Sequence, residues 1–159
     1  MFSYYEAQAD SYEDFYEGRG QAVGALAREY PVDTKAISSL LSGFGRGNVV
    51  DLACGTGFWL TTYGGNCTSV TLVDQADAAL TKCKQRVDKL RLQAKVRLIQ
   101  GDIFEVPLGQ AAYDACLLGF LLSHLPERSG QRTSSFERVR FHTRSCWPAR
   151  LATRSTFIR

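Results

Sequence analysis

Three short stretches of the chain place chemistry-bearing residues directly after apolar runs. In NVVDLACGTGFW (48–59) the run ends at Asp51, and Gly55 and Gly57 follow, one residue apart. Two glycines so spaced let backbone amides approach a ligand with no Cβ between them. A dinucleotide-binding turn wants a third glycine at position 60, where this chain has Leu60, so close packing on a pyrophosphate is not expected. The next run, SVTLVD (69–74), ends in Asp74, 23 residues beyond Asp51. A carboxylate there has lone pairs enough to accept hydrogen bonds from both hydroxyls of a ribose. The third run, KVRLIQ (95–100), leads into Gly101-Asp102-Ile103-Phe104, where an acid can accept from an exocyclic amine and an apolar pair can cover a purine face. Together the three stretches suit an adenosine that makes little demand for phosphate binding.

The elements that carry these residues follow from periodicity. From residue 48 the chain alternates short β-branched or apolar runs, 48–53, 69–74, 95–100 and 113–120, with turn residues between them. After the second run comes QADAALTKCKQRVDKLRLQ, whose Ala76, Ala79, Leu80, Cys83, Val87 and Leu90 form one apolar helical stripe while Lys82, Gln85, Arg86 and Lys89 face away. Strands alternating with a helix predict an α/β fold, a Rossmann-like parallel sheet with flanking helices. In such sheets ligands sit at the carboxyl ends of the strands, where the chemistry-bearing residues fall. Residues 1–45 read as a helical cap. Tyr5, Ala9, Tyr12 and Tyr16 share one helix face, Ala22, Leu26 and Tyr30 a second helix ending before Pro31, and Ile37, Leu40, Leu41 and Phe44 a third.

Composition narrows the function classes. The 159 residues, 45% of them hydrophobic, suffice for one core around a sheet. Five cysteines without a CxxC pair indicate neither a disulfide framework nor a zinc site, and reduced thiols are expected. An acidic, aromatic start and the lack of any run near the ~18 apolar residues of a membrane span point to a soluble, cytoplasmic protein. The net charge of +3 is uneven: residues 1–34 carry seven acids against Arg19 and Arg28, and residues 127–159 carry eight arginines against Glu127 and Glu137.

In order and spacing, VVDLACGTG (49–57), LVDQA (72–76), QGDIFEVP (100–107) and YDACLLGFLLSHLPE (113–127) resemble the class I S-adenosylmethionine-dependent methyltransferases. The resemblance covers roughly residues 45–127. It implies S-adenosylmethionine as cofactor and a small-molecule methyl acceptor, with no metal. By it, Asp51 (through water), Gly55 and Gly57 surround the amino-acid part of the cofactor, Asp74 binds the ribose, Asp102 and Ile103 meet the adenine, and Ala53 and Gln75 are further cofactor-binding residues. Phe120 lies near the sulfonium, His124 is the candidate for taking a proton from the acceptor, and Tyr5, Tyr12 and Tyr16 are candidates for the acceptor side.

Each of these residues also has a plainer reading. Asp74 can cap the following helix, Asp102 can be a turn residue, His124 can sit at a helix end, and the tyrosine stripe can be core packing. Cys54 reads as a small buried filler, since nothing beside it would lower its pKa. Residues 128–159 are rich in arginine and serine and are expected to be poorly ordered. The resemblance implies further strands there to complete a seven-stranded sheet, and none is legible. A frame-shifted or truncated end accounts for this best, ahead of a solvated tail or a nucleic-acid-binding arm. Two other functions stay in competition: a nucleic-acid-binding module using the basic tail, and a nicotinamide-dependent oxidoreductase on a related fold.

Overall fold

The computed structural model describes Ala9 and residues 11–19, 29–109 and 112–119. Their centre is a parallel sheet of four strands: β1 (Asn48–Leu52), β2 (Ser69–Asp74), β3 (Val96–Gln100) and β4 (Ala115–Leu118), in the order β3-β2-β1-β4. Each strand lies within one of the apolar runs. β1 pairs with β2 from Asn48 opposite Ser69 to Leu52 opposite Val73, and with β4 from Val49 opposite Ala115 to Leu52 opposite Leu118. β2 pairs with β3 from Val70 opposite Val96 to Asp74 opposite Gln100.

β1 and β2 are covered on both faces, which is why they read as continuous apolar runs rather than as an alternation. Val49, Val70 and Leu72 point into one core with Leu60, Tyr63, Cys83 and Val87. Val50, Leu52 and Val73 point into the other, against Ile99, Ile103, Val106, Cys116 and Leu118. Each of these six strand side chains is at most 2% exposed, and removing one from water contributes about 1.5–3 kcal/mol.

The helix α4 (Asp77–Lys89) covers the first face with Ala79, Leu80, Cys83 and Val87, the stripe its sequence predicts. The short helix α3 (Leu60–Tyr63) follows the glycine turn. On the same side lie α1 (Tyr12–Tyr16) and α2 (Glu29–Leu41), whose Tyr16 and Leu41 join that core.

Two expectations are corrected here. Tyr30, expected in a helix that ends before Pro31, belongs to α2, which runs through Pro31 because that residue falls in its first turn, where a missing N–H costs no intrahelical bond. Leu40 is 79% exposed, since the face turned inward is that of Ile37 and Leu41, continued by Phe44. The helix expected around Ala22 and Leu26, the tail 128–159, and Tyr5, Phe120 and His124 lie outside the described residues. Among the described residues, no helix is long and apolar enough to cross a membrane.

The chain passes outward from β1 to β2 and β3, then returns to pair β4 with the other side of β1. The order therefore reverses at β1, and in sheets of this kind ligands bind at the carboxyl ends of the strands beside such a reversal. The glycine turn sits at that point.

Candidate functional site

After β1 the backbone enters the left-handed region at Ala53 (φ 56°), Gly55 (φ 56°) and Gly57 (φ 70°). The turn is fastened to β2 by the Cys54 N–H, which donates to the Val73 carbonyl at 3.0 Å, and closed by the Gly57 N–H on the Cys54 carbonyl at 2.9 Å. The two glycines have different tasks. A Cβ at Gly57 would lie 2.6 Å from Cys83 Sγ, whereas one at Gly55 would meet nothing within 4 Å among the described residues. Gly57 is thus where the turn packs on α4, and Gly55 is where bare backbone borders open space.

Asp74, at the tip of β2, is wired into this turn. Its Oδ2 accepts the Gly55 N–H at 2.8 Å and its Oδ1 the Ala76 N–H at 2.9 Å. The second bond makes a local side-chain turn and not a helix cap: the residue at the cap position of α4 is Ala76, and it has no side-chain capping bond. Each carboxylate oxygen keeps a further lone pair for an outside donor. The Gly101 N–H donates to the Asp74 carbonyl at 2.9 Å, which brings the loop after β3 alongside.

In that loop the Asp102 carboxylate accepts the Phe104 N–H at 2.9 Å, so Asp102 does act as a turn residue. Ile103 packs inward on the second core, while Phe104 is 39% exposed. Gln75 is exposed, and its carbonyl accepts from Gln100 Nε2 at 3.4 Å.

Asp51 is only 3% exposed, and the Tyr63 hydroxyl donates to its Oδ2 at 2.6 Å. Burial pushes the Asp51 carboxyl from its ordinary value up to about 7; the Tyr63 hydrogen bond opposes this, and the Asp74 charge adds to it. Burial also raises Tyr63, followed by the Asp51 charge, so its hydroxyl stays a donor. Tyr63 was not singled out from the sequence, because a four-residue helix is too short to show a period.

Arg86 is a correction. Read as facing away, it reaches back to the glycine turn and donates to the Thr56 carbonyl at 2.8 Å. It flanks the apolar stripe of α4, and its long stem lets the charged head cross to a neighbouring element. Its partner Glu13 on α1 was also missed, being one acid among several there.

The four described cysteines are free thiols. Cys54 is held well above the ordinary thiol value by the Cys83 thiol beside it and by burial, which fits an inert filler. Among the described residues, no group of three acids, histidines or cysteines could hold a metal ion. Tyr16 is buried, stacked on Phe58 at 4.5 Å and edge-on to Trp59 at 5.3 Å, with half-buried Tyr12 beside it at 5.6 Å.

A family described as Methyltransferase domain matches residues 49–140, more than half of the chain. No curated protein matches it significantly. Three similar solved structures are DhpI in complex with SAM and HEP, the N-methyltransferase NodS of Bradyrhizobium japonicum with S-adenosylhomocysteine, and phosphoethanolamine N-methyltransferase 1 of Haemonchus contortus with phosphoethanolamine and S-adenosylhomocysteine. DhpI is 24% identical with a TM-score of 0.55, over 79% of this chain and 51% of that one. NodS is 16% identical, TM-score 0.53, over 72% and 54%. The Haemonchus protein is 17% identical, TM-score 0.54, over 72% and 23%. This chain spans about half the length of DhpI and NodS, and the likeness establishes the fold.

Proposed function

Because the chain belongs to the Methyltransferase domain family, we propose that it binds S-adenosylmethionine across the carboxyl ends of β1, β2 and β3 and directs its methyl group to a small-molecule acceptor. The observation that carries this reading is the joining of three strand tips at Asp74: its carboxylate takes the Gly55 N–H and its carbonyl takes the Gly101 N–H. The donor set fits the cofactor. A buried carboxylate suits an ammonium group, open backbone at Gly55 suits close approach, and a carboxylate with free lone pairs suits a diol.

When bound, the cofactor supplies a methyl already activated on a sulfonium. What is left for this chain is to hold, align and exclude water. In this proposal Asp51 and Gly55, with Ala53 and Gly57, face the amino-acid part, and Asp74 with Gln75 takes the ribose. Asp102 and Ile103 border the adenine, and Phe120 borders the sulfonium. His124 accepts the proton of a hydroxyl or amine acceptor. Tyr5 and Tyr12 stand on the acceptor side, with Tyr16 as the packed support behind them. The N-methyltransferase relatives, one solved with phosphoethanolamine, support a small acceptor.

Calorimetry on the chain with S-adenosylmethionine and, separately, with NAD tests the reading. Binding of the methyl donor and none of NAD is expected; the reverse ends the proposal.

The raised Asp51 carboxyl adds a pH dependence. A cationic ligand favours its anion and pulls its pKa below 7, so affinity rises with pH through that region, by up to about tenfold per unit, and then levels. Folding of the free chain has the opposite sign. A carboxyl whose pKa is higher folded than unfolded makes the fold less stable as pH climbs from about 4 through 7. Asp51→Asn, which can still accept from Tyr63, is expected to flatten both curves in calorimetry and in urea melts across that range.

A further inference from the structure

One guanidinium joins the acidic N-terminal segment to the glycine turn. Arg86 Nη2 donates to both carboxylate oxygens of Glu13 at 2.7 Å, and Nη1 donates to the Thr56 carbonyl at 2.8 Å. The pair is shielded, with the Arg86 side chain 19% and the Glu13 side chain 29% exposed. The guanidinium lies 5.9 Å from the Phe58 ring centroid, and the same ring is stacked with Tyr16 from α1. Ionic and aromatic contacts from α1 thus converge on Thr56, Phe58 and Trp59, the residues that flank and follow Gly57. Thr56 itself is 2% exposed and sits between the two glycines, so holding its carbonyl fixes the peptide plane that leads into Gly57. A planar, five-donor head grips both oxygens of a carboxylate and a carbonyl at once in a fixed geometry, which a lysine ammonium on a flexible stem does far less well.

We propose that Glu13 and Arg86 are positioning residues: they set the glycine turn in its binding geometry from α1, so that the N-terminal segment governs cofactor affinity through Arg86 and Thr56. The affinity part rests on the reading of the turn as a cofactor site; the geometric part does not.

Two measurements on the full chain separate these parts. The first is amide hydrogen exchange without ligand. The Gly55 and Gly57 N–H groups are bonded to Asp74 Oδ2 and to the Cys54 carbonyl, and their exchange reports the turn directly. Glu13→Gln and Arg86→Lys are each expected to speed it by about tenfold, while exchange in β2 stays as in the parent. The second is S-adenosylhomocysteine affinity, expected to fall about tenfold in each variant and no further in the double variant, since both cut one link.

Exchanging the charges, Glu13→Arg with Arg86→Glu, restores the ion pair but sets an acceptor against the Thr56 carbonyl. Exchange at the turn then remains fast. Unchanged turn exchange in the single variants overturns the proposal, as does full rescue by the charge exchange or simple addition of the two losses. A parent chain that binds no S-adenosylhomocysteine while turn exchange still responds would end the methyltransferase reading and leave the positioning role standing.

Discussion

Asp74→Ala is expected to lower S-adenosylmethionine affinity by more than about a hundredfold, the scale of losing two hydrogen bonds to a charged acceptor. Two losses combine. The proposed ribose contact disappears, and the Gly55 and Ala76 N–H groups that Asp74 now satisfies are left without their acceptor. The turn then has no tie between β2 and Gly55, the point at which bare backbone meets open space. Asp74→Asn keeps the size of the side chain but turns one oxygen into a donor facing an N–H. It should therefore lose one of the two backbone bonds and most of the affinity, while melting closer to the parent than Asp74→Ala does. Calorimetry reads the first effect and urea denaturation the second. Affinity unchanged in Asp74→Ala would remove Asp74 from the site.

Gly57→Val is expected to destabilise the fold by more than about 3 kcal/mol, combining left-handed backbone strain with overpacking. The added Cβ would stand 2.6 Å from Cys83 Sγ, and Cys83 is wholly buried on α4, with no free side to swing toward. Removing that sulfur should give partial relief, so Gly57→Ala combined with Cys83→Ala should melt above Gly57→Ala alone. At Gly55 the outcome differs in kind. An alanine there meets no described residue within 4 Å and suffers only the left-handed penalty of about 1–2 kcal/mol, but it occupies the ground a ligand must approach. Stability is thus the readout for Gly57 and affinity the readout for Gly55. A Gly57→Val chain with the parent's urea midpoint would show that the turn does not pack on α4 as described.

Features that depend on neighbours along the chain were legible in the order of residues. Uninterrupted apolar runs mark β1 and β2, because strands buried on both faces need no polar side, and the stripe from Ala79 to Val87 marks the face α4 presents to the sheet. An acid closing a run and a glycine pair after it likewise announce a turn at a strand tip. Leu40 misled because a helical period gives the apolar arc and not how much of it finds a partner.

Features that depend on elements meeting from afar emerge once the chain has folded. The return of β4 to the free side of β1, the difference between Gly55 and Gly57, and the role of Asp74 as the knot of three strand tips all follow from stacking. Tyr63 reaches Asp51 across 12 positions and Arg86 reaches Glu13 across 73. Such bonds leave no trace in local spacing, since each partner alone looks like an ordinary surface or core residue. Their worth comes from desolvation and geometry that exist once the sheet and its helices have closed around them.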